Sequence, residues 1–203
     1  PEEILNNATD KVINLSRKGG TEKERYEEKE HHQLAREIAA RSMVLLKNED
    51  DILPLEKQSA ILVVGEMAEN PRYQGAGSSL LNPTKLENVL GALQEKNVAY
   101  KYVHGYSLNK KDRKKDREYL MEAVEAARSS ETVLVFAGLP SEYETEGYDR
   151  TGIEMPESHN QLIEELSKVN QKVVVVLSGG SVMQMRWSDD VAGILLGGLS
   201  GQA

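Results

Sequence analysis

The sequence predicts an α/β fold, a mostly parallel sheet with helices on both faces, and three observations carry that prediction. Short continuous runs of valine, isoleucine and leucine recur at 60–65, 132–138, 172–177 and 192–196. Stretches with apolar residues at helical spacing separate them, and glycine, proline, asparagine or serine bound most of the runs. Continuous rather than alternating apolar runs belong to strands buried on both faces, the helix-covered parallel arrangement.

Taken in order, Ile4, Leu5, Ala8, Val12, Ile13 and Leu15 fall at roughly helical spacing and predict a short amphipathic helix. Gly19 and Gly20 end it, and residues 21–30, charged and almost free of apolar side chains, read as a linker or exposed loop. A second helix is expected over 33–46, with Leu34, Ile38, Ala39, Ser42, Leu45 and Leu46 facing inward. Asn48-Glu49-Asp50-Asp51 breaks that pattern, and Leu53, preceding Pro54, is held extended. The strand at 60–65 leads through a glycine-serine loop to a helix over 84–95. Next comes a strand at 98–103, more alternating and so nearer a sheet edge. A polar helix over 114–129 precedes the strand at 132–136. A further helix starts at Pro156, which suits a first helical turn, and strands at 172–177 and 192–196 complete the set.

Composition bounds what such a chain does. Its 203 residues suffice for one large domain, or one domain plus extensions. Charged residues at 29% and hydrophobic ones at 39% are ordinary for a soluble globular chain. A net charge of −8 argues against a nucleic-acid partner, which needs a cationic surface. Cysteine is absent, which excludes disulfides and thiolate metal sites and leaves the compartment unreadable from redox chemistry. No apolar run approaches a membrane span, so no membrane partner is expected. Pro1-Glu2-Glu3-Ile4-Leu5 lacks the features of a signal peptide, which favours a cytoplasmic setting in a chain that reads as an excised fragment. His31, His32, His104 and His159 fit no metal-ligand spacing and read as solvated or helix-terminal; no metal and no cofactor is expected. The basic run at 110–117 reads as a solvated helix start, and Met183, Met185 and Trp187 read as core.

Right-handed crossovers place the loops after parallel strands on one sheet edge, where open α/β sheets bind ligands. Three of these loops carry chemistry. Tyr73-Gln74-Gly75-Ala76-Gly77-Ser78-Ser79 offers backbone that a ligand can approach closely, and hydroxyls beside it. It is no dinucleotide loop: Leu80 stands where a glycine is needed, and residues 66–72 separate it from its strand. A tight, capped turn is the competing reading. Glu142-Tyr143-Glu144-Thr145-Glu146-Gly147-Tyr148-Asp149-Arg150 follows the buried strand at 132–136. Its carboxyls, arginine and tyrosines can protonate, hydrogen-bond and stack on a sugar, while a solvated acidic loop is the plain alternative. Leu177-Ser178-Gly179-Gly180-Ser181 either binds an anion through free N–H groups or only turns the chain; it lacks the G-x-S-x-G order of a nucleophile elbow.

Ala35-Arg36-Glu37-Ile38-Ala39-Ala40-Arg41-Ser42-Met43-Val44-Leu45-Leu46-Lys47-Asn48, followed by Leu53-Pro54-Leu55, closely resembles the interdomain segment of glycoside hydrolase family 3. Gly75-Ala76-Gly77-Ser78-Ser79 is similar to that family's glycine-serine loop, and residues 144–150 to its E-x-E-G-x-D-R segment. Met155-Pro156, Gln161-Leu162-Ile163 and Gly198-Leu199-Ser200-Gly201-Gln202 continue the resemblance, which covers nearly everything from Gln33 onward. It implies the family's second domain, a six-stranded α/β sandwich in a retaining β-glycosidase, most simply a β-glucosidase, with β-xylosidase or another exo-glycosidase as alternatives.

In such enzymes two carboxyls about 5–5.5 Å apart act as nucleophile and as acid then base. The resemblance puts the nucleophile on a TIM barrel that precedes this domain and the acid/base on the acidic loop, at Glu144 or, as the close alternative, Glu146. Gly75, Gly77, Ser78, Ser79, Tyr143, Tyr148, Asp149 and Arg150 become substrate-binding residues, Tyr143 and Tyr148 lining the sugar site and Asp149 and Arg150 also pairing to order the loop. Residues 1–18 resemble the barrel's last helix, 19–56 an interdomain linker and helix, and 57–203 the sandwich, truncated before its last strand. The barrel is the missing partner, a β-glucoside or related oligosaccharide the substrate, and the fragment alone is expected to be inactive. An exposed sheet edge and an uncovered interdomain face favour self-association. A non-catalytic carbohydrate- or nucleotide-binding α/β module is the rival reading.

Overall fold

The computed structural model describes residues 1–19, 27–56, 60–109 and 111–202. Most of the expected linker at 21–30, with Gly20 and Lys110, lies outside them. The chain divides into two compact units, residues 1–31 and 32–203. In the first, helix α1 (Glu2–Lys18) follows the expected periodicity, with Glu2 and Glu3 opening it, Arg17 and Lys18 closing it, and no residue buried. That placement of charge suits the helix dipole at both ends.

The second unit holds a six-stranded sheet in the order β1-β6-β5-β4-β2-β3. Its strands are β1 (Val44–Asn48), β2 (Ile61–Val64), β3 (Tyr100–Val103), β4 (Thr132–Gly138), β5 (Val173–Ser178) and β6 (Gly193–Gly198). β2 to β6 are mutually parallel, as the apolar runs predict, and β3 lies at an edge. Along β2 the side chains alternate between two cores. Leu62 and Val64 pack with the core under helices α4 (Asp116–Arg128) and α5 (Glu157–Ser167). Ile61 and Val63 pack with Val89, Leu90 and Leu93 at helix α3 (Val89–Glu95). Helices therefore cover both faces. Ala123, Ala126 and Ala127 are the buried residues of α4, small enough to bring its backbone close to the sheet. Trp187 is fully buried, its indole N–H donating to Asn160 Oδ1 at 3.0 Å, and Met183 and Met185 pack against the same core. No helix among the described residues is long and apolar enough to cross a membrane.

Two elements differ from expectation. Helix α2 (Glu28–Ser42) stops before Met43, and Val44–Asn48 becomes β1, antiparallel to β6 with Val44 opposite Leu196. Of the expected inward face only Ala39 is buried; Leu34, Ile38, Leu45 and Leu46 are exposed. Backbone pairing with β6 wins over helical spacing there, and it makes residues read as linker and helix part of the sheet. Helix α3 begins at Val89 rather than near Thr84 because Asn88 caps it, its side-chain oxygen accepting from Gly91 N–H at 2.8 Å.

Candidate active site

The three chemically distinctive loops meet at the carboxyl ends of β2, β4 and β5. The glycine-serine loop is closed by Gln74, whose carboxamide donates to the Leu81 carbonyl at 2.8 Å and accepts from the Leu81 N–H at 3.0 Å. Ala76 then pairs in parallel with Thr145, joining this loop to the acidic one. Tyr73 links it to the 198–202 segment, its carbonyl accepting from Gly201 N–H at 2.9 Å.

β4 ends at Gly138, with φ +148° and a Cβ position only 1.8 Å from the Ser178 carbonyl, so no other residue lets β4 run so close to β5. Below the acidic loop lies His159, 1% exposed, its Nδ1 3.0 Å from the Gly138 carbonyl and its ring 3.8 Å from that of Tyr106. Burial pulls its pKa down to about 3, so of the two expected settings, solvated or helix-terminal, this histidine takes the second, in the first turn of α5, as a neutral structural group.

The two candidate glutamates occupy opposite environments. Glu144 is half-buried, with its side chain 8% exposed. It accepts from Gly180 N–H at 2.9 Å and from the Ser181 hydroxyl at 2.5 Å, and lies 3.4 Å from Arg72 Nη1. Arg72 is itself buried and donates to the carbonyls of Leu139 and Gln74 at 2.8 and 2.9 Å. Desolvation draws its pKa below the ordinary arginine value, against the opposing pull of Glu144. The Ser-Gly-Gly-Ser turn thus does bind an anion, and the anion is the protein's own.

Glu146 is exposed. Its Oε2 accepts from Ser78 N–H at 3.1 Å and from the Ser78 hydroxyl. Those donors hold its pKa below the ordinary carboxylate range. Of the other residues predicted for the site, Gly75 is half-buried, its Cβ position 3.3 Å from the Ser79 hydroxyl oxygen, and Ser79 is exposed. Tyr143, Tyr148, Asp149 and Arg150 come together differently, lining a groove of about 630 Å³ along the acidic loop with Thr145 and Glu154. Glu144, Glu146 and the glycine-serine loop do not line that groove. Arg150 orders the loop by donating to the Val182 carbonyl at 2.8 Å, in place of the expected pairing with Asp149. Sequence reasoning missed Arg72 and His159.

The fold and loops define an α/β sandwich whose strand-end edge carries one locked carboxylate and one open one. The model of the glycosyl hydrolase family 3 C-terminal domain matches residues 43–203, and the chain belongs to that family. It is 45% identical to thermostable β-glucosidase B of Acetivibrio thermocellus in an alignment 208 positions long that covers 100% of this chain and 27% of that protein. An exo-α-(1→6)-L-arabinopyranosidase of Bifidobacterium longum is 39% identical across 88% of this chain and 25% of its own length. The crystal structure of a family 3 β-glucosidase from Bifidobacterium adolescentis superposes with a TM-score of 0.86 at 38% identity, covering 95% of this chain and 28% of that one. The chain spans about a quarter of the length of these relatives.

Proposed function

We propose that this domain supplies the general acid/base of a retaining β-glucosidase, that Glu146 is that group, and that the nucleophile comes from a TIM barrel preceding it. The supporting observation is the contrast between the two glutamates. A general acid must reach the glycosidic oxygen. The Glu144 side chain is 8% exposed with its carboxylate taken by Gly180, Ser181 and Arg72, whereas Glu146 is exposed with its hydrogen bonds among the described residues confined to Oε2. Glu144 therefore ties the acidic loop down and Glu146 works. Pressed against barrel and sugar, Glu146 loses solvent, which raises its pKa toward that of an acid protonated near neutrality.

The proposed division runs from a barrel-end helix at 1–18, through a joining segment, to a sandwich that starts at β1. Leu34, Ile38, Val44, Leu45 and Leu46, exposed in this chain, offer apolar surface to the rest of the longer protein or to a second copy. Tyr143, Tyr148, Asp149 and Arg150 face the leaving group from their groove. Relatives named for different sugars share this stretch at 39–45% identity, which supports sugar choice being made largely outside it.

Hydrolysis of aryl β-D-glucosides by the full-length enzyme tests the reading. Glu146→Gln should lower kcat/KM for a poor leaving group by roughly 10²–10⁴-fold, and far less for a good one. This chain alone should hydrolyse neither. An unchanged rate in Glu146→Gln with the poor leaving group overturns the assignment.

A further inference from the structure

Resting on Glu146 as the acid/base, we propose that Ser78 is its positioning residue, seating the Glu146 carboxyl against the glycine-serine loop and serving it in both protonation states. The geometry is specific. Ser78 N–H donates to Glu146 Oε2 at 3.1 Å, and the Ser78 hydroxyl donates to the same oxygen. Gly77, just before it, has φ +91°, and a Cβ there would lie 2.7 Å from the Glu146 Cβ, so glycine is required for this approach. The Ala76–Thr145 bridge and the Gln74–Leu81 clamp fix the two loops on either side of the contact.

No charge competes for Glu146 among the described residues. Glu144 is turned to Gly180, Ser181 and Arg72, and Arg150 to Val182. The groups that face Glu146 are the Ser78 amide and hydroxyl and the Gly77 backbone.

The retaining cycle asks one carboxyl to be acid and then base. First it gives its proton to the glycosidic oxygen as the bond to the leaving group breaks, and becomes a carboxylate. Then it takes a proton from the water whose oxygen bonds the anomeric carbon as the enzyme ester breaks, and is an acid again. An amide N–H only donates, so it serves Oε2 as a carboxylate or carbonyl oxygen but not as an O–H. A serine hydroxyl donates or accepts. Rotation about the Ser78 Cβ–Oγ bond therefore satisfies the protonated form as well, with no movement of the loop.

A ¹³C-NMR titration of the glutamate carboxyls in this chain tests the proposal, with the Glu146 signal identified through Glu146→Gln. Ser78→Ala should move the Glu146 midpoint upward, since a donor to the carboxylate is lost, and Ser78→Thr, which keeps the hydroxyl, should return it. An unmoved midpoint in Ser78→Ala overturns the proposal alone. In the full-length enzyme, Ser78→Ala should carry the basic limb of the kcat/KM profile to higher pH, with Ser78→Thr resembling wild type. A titration shift with an unmoved basic limb contradicts instead the acid/base reading of Glu146.

Discussion

Glu144 and Glu146 stand two residues apart on one loop, and their surroundings are opposite. Glu144 points into the protein, where a backbone N–H, a hydroxyl and a buried guanidinium hold it. Glu146 lies at the surface and, among the described residues, leans only on Ser78. On the proposed reading, identical side chains are divided between holding the loop and doing its chemistry by what the neighbouring loops offer each. The strand end that presents the proposed acid/base is anchored by the other carboxyl.

Removing each side chain should break the likeness most visibly. Glu144→Ala leaves Arg72 buried without its counter-charge and should cost about 3–5 kcal/mol, read as a lowered urea midpoint of this chain. Glu146→Ala, at an exposed position, should leave that midpoint unchanged. Equal losses in the two variants would contradict the division.

A smaller effect comes from the base of the loop. His159 titrates near 3 in the folded chain against an ordinary 6.5, because burial disfavours its charge. The unfolded chain therefore binds the extra proton first, and the contribution to stability, complete above about pH 6.5, is lost as pH falls toward 3. In this window wild type should lose stability relative to His159→Phe by up to about 1.4 kcal/mol per pH unit. Urea unfolding of both at several pH values checks it, and parallel curves would place His159 outside the packed base.

Much of the fold was legible in the sequence, since β2, β4, β5 and β6 are continuous apolar runs whose burial needs no partner to be recognised. β1 was not. Val44-Leu45-Leu46 continues the helical spacing set by Leu34 and Ile38, and only β6, some 150 residues later, turns it into a strand. The loops that make the site were legible from their glycines, serines and carboxylates. The opposite surroundings of the two glutamates were not, because Gly180 and Arg72, the groups that lock Glu144, lie 36 and 72 residues from it. Nor was the burial of His159, which depends on Tyr106 and Gly138 meeting its ring.

Azide rescue in the full-length enzyme tests the division of roles most directly. With a good aryl leaving group the glycosyl intermediate still forms when the acid is lost, and azide then replaces the water that the base no longer activates. The account predicts that azide restores turnover to Glu146→Gln and yields the β-glucosyl azide, while Glu144→Gln gains nothing from it. Rescue of Glu144→Gln with none at Glu146→Gln would contradict it.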